Sequence, residues 1–296
     1  MHAEESEETP PSTIAKGGSV FSHDSTFMLI KKLMIYKMMG SNLFINYSLL
    51  GIRFAYRLFG KNLTNFAIEN TAASVFTGGV TVSDLKQVSA ELATRGIGSV
   101  GCYVVEGVRG AENTSLDQFL DFSVASIRSI TEKGRKEGHF ALKLTAYIST
   151  DLMERLNLAQ QRFLDEVLTL SYDINDSTVL QREILSERLA NLGIDNYSAS
   201  DFDALVAQLS KNDTNNQMSN ISLYKNGHLF QIYGERTALV EQIAAKLGGV
   251  TEADFADFDL FAGRARILGE EADVNRCLLY VDAEQSFIQA AIESFG

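Results

Sequence analysis

Four short apolar segments of the chain have the pattern of buried β-strands. Continuous apolar runs of this length are typical of strands that are covered on both faces. Helical patterns follow them, so the order of elements predicts βα units and a parallel sheet of the α/β class. The four segments are residues 74–77, 100–105, 140–146 and 277–281.

The segment after the fourth run carries a first candidate for chemistry. The run ends at Asp282, and the helical pattern that follows has Glu284 in its expected first turn, where the helix dipole favours a negative charge. A carboxylate at the C-terminal end of a strand that feeds a helix is where α/β barrels place catalytic groups. The alternative is an aspartate that caps the helix, and the spacing favours neither interpretation.

A lysine stands in the third apolar run, which is otherwise Phe140-Ala141-Leu142 and Leu144-Thr145-Ala146. A desolvated lysine loses its charge unless an anion partners it. We therefore expect Lys143 to face a carboxylate or an anionic ligand at the mouth of a barrel. The alternative is a lysine at a sheet edge, in contact with water.

The beginning of the chain changes character near residue 27. Residues 1–26 are acidic and rich in Ser and Thr, which predicts a disordered tail and is the composition of neither a clear transit peptide nor a secretory signal. Residues 27–73 are apolar and basic and predict helices. Because Lys37 and Arg53 bound the longest uncharged run, we do not expect a spanning helix. Core helices and an interfacial membrane contact both fit this pattern.

The rest of the chain completes the predicted domain organisation. Residues 74–149 hold the first three strands, and residues 150–270 have mostly helical patterns and form an insertion. Residues 271–296 hold the fourth strand and its helix. Within the insertion, an Asn-Gly pair between apolar flanks predicts a small hairpin over 223–230.

Charge and motif spacing exclude several classes of function. The net charge of -12, without clustered Lys and Arg, argues against nucleic-acid binding. Cys102 and Cys277 lie in apolar runs and the four histidines are scattered, so no metal site is predicted and each histidine is expected at the surface. The motif G-x-G-x-x-G at 96–101 follows a helix and opens a strand, which is the inverse of a dinucleotide site.

Three motifs stand in order along the chain: Phe76-x-x-Gly79, Leu142-Lys143-Leu144-Thr145-Ala146 and Val281-Asp282-Ala283-Glu284-Gln285. They resemble those of the mitochondrial proline dehydrogenases, and the resemblance covers nearly the whole chain. It implies a TIM-type (β/α) barrel that holds FAD and oxidises L-proline to pyrroline-5-carboxylate, with electrons passing to quinone at the matrix face of the mitochondrial inner membrane. It also implies that Lys143 and Asp282 line the pocket, as catalytic and as cofactor-binding residues.

The chain departs from the family pattern in ways that change the expected fold. Cys102 stands where the family usually has an acid, and Val80 stands where it has a glutamate. With about four βα units, the chain is expected to form a partial barrel, the N-terminal half only, with N-terminal helices and a helical insertion. It is then a fragment of an active enzyme, half of a split enzyme, or a non-catalytic subunit bound to a mitochondrial membrane complex. In each case we expect a second half-barrel or a partner chain to cover the open inner face.

Overall fold

The computed structural model contains helices and two small sheets. It describes residues 21, 24–104, 113–131, 138–171, 173, 178–211, 213, 217–234 and 236–295. The chain divides into two compact units, Met1–Asp84 and Leu85–Gly296. Most of the predicted acidic tail, and the loop after the second predicted strand, lie outside the described residues.

The first unit is mostly helical where it is described. Helix α1 spans Thr26–Met39 and α2 spans Asn42–Ile68. Both begin at a serine whose side chain accepts a backbone N–H of the first turn, as N-capping serines do. Inside α2, Gly60 has a φ of 78°, which bends the helix at a residue without a Cβ. None of the described helices is long and apolar enough to cross a membrane.

The predicted first strand at residues 74–77 is wrong, because residues 74–76 continue a helical segment that ends at Thr77. A π-helical turn covers Glu69–Ala73 and helix α3 covers Ser74–Phe76. The hydroxyl of Ser74 donates to the Thr71 carbonyl at 2.8 Å, and that of Thr77 donates to the Ala73 carbonyl at 2.9 Å. These local hydrogen bonds support helical geometry in a run too short for its hydrophobic period to separate strand from helix.

Three parallel strands form a sheet, and each overlaps a segment predicted to be a strand. They are β1 at Gly101–Cys102, β2 at Gly138–Leu142 and β5 at Cys277–Val281, paired in the order β1-β2-β5. Strand β2 begins two residues before its predicted run, and the end of that run, Leu144–Ala146, is a 3₁₀ turn. Gly101 lies so close to β2 that a Cβ there would come within 2.9 Å of the Phe140 ring. The mixed α/β class with a parallel sheet is confirmed for the described residues.

The helices of the second unit cover one face of this sheet and form the core beyond it. Helix α5 (Asn113–Ile130) packs on β2 and α11 (Glu252–Val274) packs on β5, while α6 (Thr150–Arg162) packs against α10 (Ala238–Gly248) and α12 (Gln289–Ser294). The largest fully buried side chains include Phe140, Tyr147, Phe163, Phe230 and Phe261. The other helices are α4 Val82–Thr94, whose first three residues belong to the first unit, α7 Arg182–Asn191, α8 Ala199–Leu209 and α9 Asn220–Asn226.

The predicted hairpin over 223–230 is also wrong. Its first half is helix α9, which begins after Ser219 and ends at Asn226. The buried Asn226 amide donates to the carbonyls of Lys211 and Ser222 instead of forming a turn. The antiparallel pair in this region joins β3, Val179–Leu180, to β4, Met218–Ser219.

Candidate functional site

The carboxyl ends of the three parallel strands bring the two predicted site residues together. Leu142 pairs in register with Val281, and the Asp282 N–H donates to the Leu142 carbonyl at 2.9 Å. Lys143 continues β2 in an extended conformation, with φ of -96° and ψ of 110°. Lys143 and Asp282 therefore occupy neighbouring positions at the same edge of the sheet, as the sequence predicts.

The alternation of side chains places both residues on the face of the sheet that points away from the core. Phe140 and Leu142 are buried on the core face, so Ala141 and Lys143 project from the opposite face. Cys102 pairs in register with Ala141 on the other side of β2. We call the group Cys102, Lys143, Asp282 and Glu284 the rim. Asp282 is exposed and Lys143 is half-buried.

The pKa of the Cys102 thiol is affected by all three charged residues of the rim. Burial raises the pKa of the Cys102 thiol, Lys143 lowers this pKa, and the carboxylates of Asp282 and Glu284 raise it. The net effect is a raised pKa, so the thiol is protonated at neutral pH. One cation and two carboxylates thus shift the pKa of one thiol. The charged residues that follow β2 and β5 are therefore close enough to interact with a side chain on β1.

Glu284 has a different role from the predicted one. It does not lie in the first turn of a helix, because α12 begins only at Gln289. Its carboxylate accepts hydrogen bonds from the backbone N–H of Thr145, at 3.0 Å, and from the Thr145 hydroxyl. Thr145 is buried in a short 3₁₀ turn, Leu144–Ala146, directly after β2. This contact ties the segment after β5 to the segment after β2.

The sequence contains a positional signal for the Glu284 contact. Thr145 follows Lys143 by two positions, and Glu284 follows Asp282 by two positions. Because Leu142 pairs with Val281, the chain leaves the two strands at neighbouring positions, and the 3₁₀ turn Leu144–Ala146 then brings Thr145 to Glu284.

A histidine and a tyrosine form a second polar pair on the same face. His139 Nδ1 lies 3.0 Å from the Tyr280 hydroxyl, and the two rings stack with centroids 5.8 Å apart. The sequence predicts His139 only as a scattered surface residue. The signal for the pair is positional, since residues 139 and 141 of β2 lie opposite residues 278 and 280 of β5 and therefore project from the same face of the sheet.

The most enclosed cavity that we describe lies elsewhere, among the helices of the second unit. It has a volume of about 290 Å³, and none of its lining residues belongs to the rim. Arg236 in its wall is already paired with Asp259 and Glu241, so its charge is neutralised. No group of three potential metal ligands occurs among the described residues. The lining includes Leu205, Gln208, Lys211, Phe230, Arg236 and Phe258.

One comparison with known proteins agrees with the resemblance that the sequence shows. No family model matches the chain, and no solved structure matches it. The curated protein "Proline dehydrogenase 1, mitochondrial" of Caenorhabditis elegans is 21% identical over 341 residues, an alignment that covers 92% of this chain and 54% of that protein. The chain therefore spans about half the length of the relative it matches. Over nearly its whole length, it is similar to a proline dehydrogenase.

Proposed function

We propose that this chain is a proline dehydrogenase-like protein whose rim binds L-proline for oxidation to pyrroline-5-carboxylate in proline catabolism. The observation that carries the proposal is the placement of Lys143 and Asp282 side by side at the ends of paired strands. The similarity to a proline dehydrogenase supports the reaction class, that of an oxidoreductase.

The charges of the rim match those of the substrate. Proline at neutral pH carries a carboxylate and a ring ammonium. Lys143 attracts the carboxylate, and the exposed Asp282 carboxylate accepts a hydrogen bond from the ammonium, so the pair orients a zwitterion in one direction. Glu284 is held by Thr145, so it fixes the spacing of the two strand ends on which this orientation depends.

FAD is the cofactor that the family resemblance implies, and its flavin supplies the hydride acceptor when bound. The charges that act at Cys102 are one cation and two carboxylates, a set that repels the cofactor's diphosphate. Diphosphates are held by cations or by clustered backbone N–H groups. The described rim fits the amino-acid substrate and does not fit this part of FAD. In our proposal a second half-barrel or a partner chain supplies the diphosphate contacts, and quinone is the final electron acceptor.

A second candidate function is a non-catalytic or split half-barrel subunit bound to a mitochondrial membrane complex. The observation that favours it is the exposed surface of β5, where Leu278, Tyr280 and Val281 are each about half exposed. Exposed apolar side chains on a strand favour burial by another surface. The relative is named as mitochondrial, and the location we propose is the matrix face of the inner membrane.

The proposal is tested by proline turnover of the full chain, together with any companion chain that co-purifies with it. We expect Lys143→Ala and Asp282→Ala each to lower proline-dependent reduction of a quinone analogue about tenfold or more, because each removes one half of the orienting pair. Lys246→Ala and Asp195→Ala remove exposed charges outside the rim and are the matched controls.

Two results would count against this assignment. Turnover that is unchanged in both rim variants would remove Lys143 and Asp282 from the mechanism. A wild-type chain that has no turnover with its companion, and does not bind proline, would favour the non-catalytic subunit.

A further inference from the structure

The cavity of about 290 Å³ in the second unit has an apolar interior. Its walls come from α8, α10, α11 and the segment that connects α9 to α10. Phe230 is 1% exposed and Phe258 is 4% exposed, and the centroids of their rings lie 5.9 Å apart. A cavity of this volume is at the lower end of those that bind small molecules. The buried apolar side chains of the wall are Leu205, Leu229, Phe230, Val240 and Phe258.

Polar side chains lie where this cavity opens to water. Lys211 is exposed, and Gln208, Gln231 and Thr237 are half-buried. The Gln208 amide nitrogen donates to two backbone carbonyl groups, at 3.0 and 2.6 Å, which fixes this side chain in place. The Gln231 amide forms no hydrogen bond with the described residues, so its N–H groups can donate to a ligand. An apolar interior with a few polar groups at its opening is the usual construction of a small-molecule site.

The charged groups that line the cavity are cations. Lys211 and Arg236 both contribute to the lining, and none of its described members is an Asp or Glu, although the chain as a whole carries a net charge of -12. Arg236 is paired with Asp259 at 2.5 Å and with Glu241 at 2.8 Å, and these carboxylates belong to residues outside the lining. Lys211 forms no ion pair with any residue that the structure describes. One uncompensated positive charge therefore lies at the opening of an apolar cavity.

We propose that this cavity binds a small monocarboxylate with a compact apolar body. Lys211 binds the carboxylate through a charge-assisted hydrogen bond, and the Gln231 amide donates a second one. The apolar body lies against Leu205, Phe230 and Phe258, where it displaces water that the apolar wall holds poorly. The site is separate from the rim, and its ligand goes beyond the proposed proline chemistry.

The lining disfavours ligands of other charge. An amine would place its ammonium beside Lys211 without a described carboxylate in the lining to accept its protons. A neutral apolar molecule would fill the interior and leave the Lys211 charge and the Gln231 amide unused. A monocarboxylate uses both features of the cavity.

The test is titration of the full chain with isocaproate, followed by ligand-observed NMR. Isocaproamide has the same apolar body without the charge, and acetate has the charge without the body. We expect isocaproate to bind with a Kd on the order of 1 mM, and isocaproamide and acetate each to bind about tenfold more weakly or worse. Hydrogen exchange should slow on binding in residues 229–234 and 236–240, and should not change in β2 or β5.

Lys211→Met tests the cation and keeps most of the side-chain stem. It should weaken isocaproate binding about tenfold and leave isocaproamide binding unchanged, because only the carboxylate uses the charge. Lys246→Met removes an exposed cation that does not line the cavity and should bind like wild type. Circular dichroism establishes that each variant is folded.

Three results would overturn the proposal: no binding of isocaproate by wild type, equal binding of isocaproate and isocaproamide, or wild-type binding by a folded Lys211→Met variant. Lys143→Ala shows whether isocaproate binds at the rim instead. This variant should bind isocaproate normally, and loss of binding would place the ligand at Lys143 and contradict the cavity site. Because no rim residue takes part, the result stands even if the proposed proline chemistry fails.

Discussion

At the scale of single residues, buried charged side chains with several partners join helices that are distant in sequence. Asp254, only 7% exposed, accepts hydrogen bonds from Thr251 at the start of α11 and from Arg155 on α6. Arg264, also buried, donates to Asp117 and to the Tyr147 carbonyl. Such groups specify how helices dock, because removing one partner leaves the other charge without compensation.

Asp254 gives a pH-dependent prediction. Burial raises the pKa of its carboxyl, but hydrogen bonds from Arg155 and Thr251 outweigh burial, so the pKa lies below its usual value. A carboxylate whose pKa is lower in the folded than in the unfolded protein stabilises the fold at pH values above the unfolded pKa of about 3.9. This stabilisation is lost as pH falls through the folded pKa. We expect Asp254→Asn to lower the free energy of unfolding at pH 7 by about 2 kcal/mol, and by less below about pH 4.

Urea denaturation at both pH values measures this difference. Asp273→Asn, at an exposed position near the end of the same helix, is the control and should change stability little at either pH. If the loss of unfolding free energy in Asp254→Asn stays constant down to pH 3, the charge of the Asp254 carboxylate does not contribute to the stability of this contact.

At the scale of elements, the sequence predicts the helix and strand boundaries that carry strong local signals. It does not predict the secondary structure of short apolar segments. The pattern at 277–281 gives the bounds of β5. Helix α11 begins at a capping box that Thr251 forms with Asp254, which is a strong local signal of the same kind. Residues 74–77 and 223–230 are misassigned because their runs are too short to show a period. Hydrogen bonds from Ser, Thr and Asn side chains support the helices there.

The contact between α6 and α10 gives a prediction at this scale. Gly248, the last residue of α10, lies where a Cβ would be 2.5 Å from the Arg155 carbonyl oxygen and 2.7 Å from Ala159 Cβ. We expect Gly248→Ala to destabilise the protein by about 1–3 kcal/mol, because two helix backbones would have to separate. Thermal unfolding measures the effect.

Gly263 in α11 is the matched control for this substitution. A Cβ at this position would meet nothing within 4 Å. Gly263→Ala should therefore stabilise the helix by about 0.5–1 kcal/mol through its propensity alone. If both substitutions stabilise the protein, the close contact between the α6 and α10 backbones at Gly248 is contradicted.

At the scale of the whole molecule, the candidate site depends on strands that are far apart in sequence. The sequence predicts Asp282 because it ends an apolar run and Lys143 because it interrupts one, and parallel strands present their carboxyl ends at one edge. It does not predict the Glu284–Thr145 contact or the His139–Tyr280 pair, because both depend on the register between β2 and β5. Register is set by the packing of the core face, which no single segment encodes.

The central claim is that the ends of β1, β2 and β5 form one site, and alkylation of Cys102 tests it most directly. Lys143 lowers the pKa of the Cys102 thiol and Asp282 raises it. Because the thiolate is the reactive form, Lys143→Met should slow alkylation of Cys102 by iodoacetamide near pH 8, and Asp282→Asn should speed it. Each change should be severalfold. Cys277, which is buried and has a pKa raised to about 11, serves as the slow internal reference.

Rates for Cys102 are read by mass spectrometry of the folded chain, with Lys246→Met and Asp195→Asn as controls outside the rim. The account predicts opposite shifts for the two rim variants and no shift for the two controls. If Cys102 reacts at the wild-type rate in both rim variants, the three strand ends do not share a site, and the assignment of Lys143 and Asp282 to one pocket is contradicted.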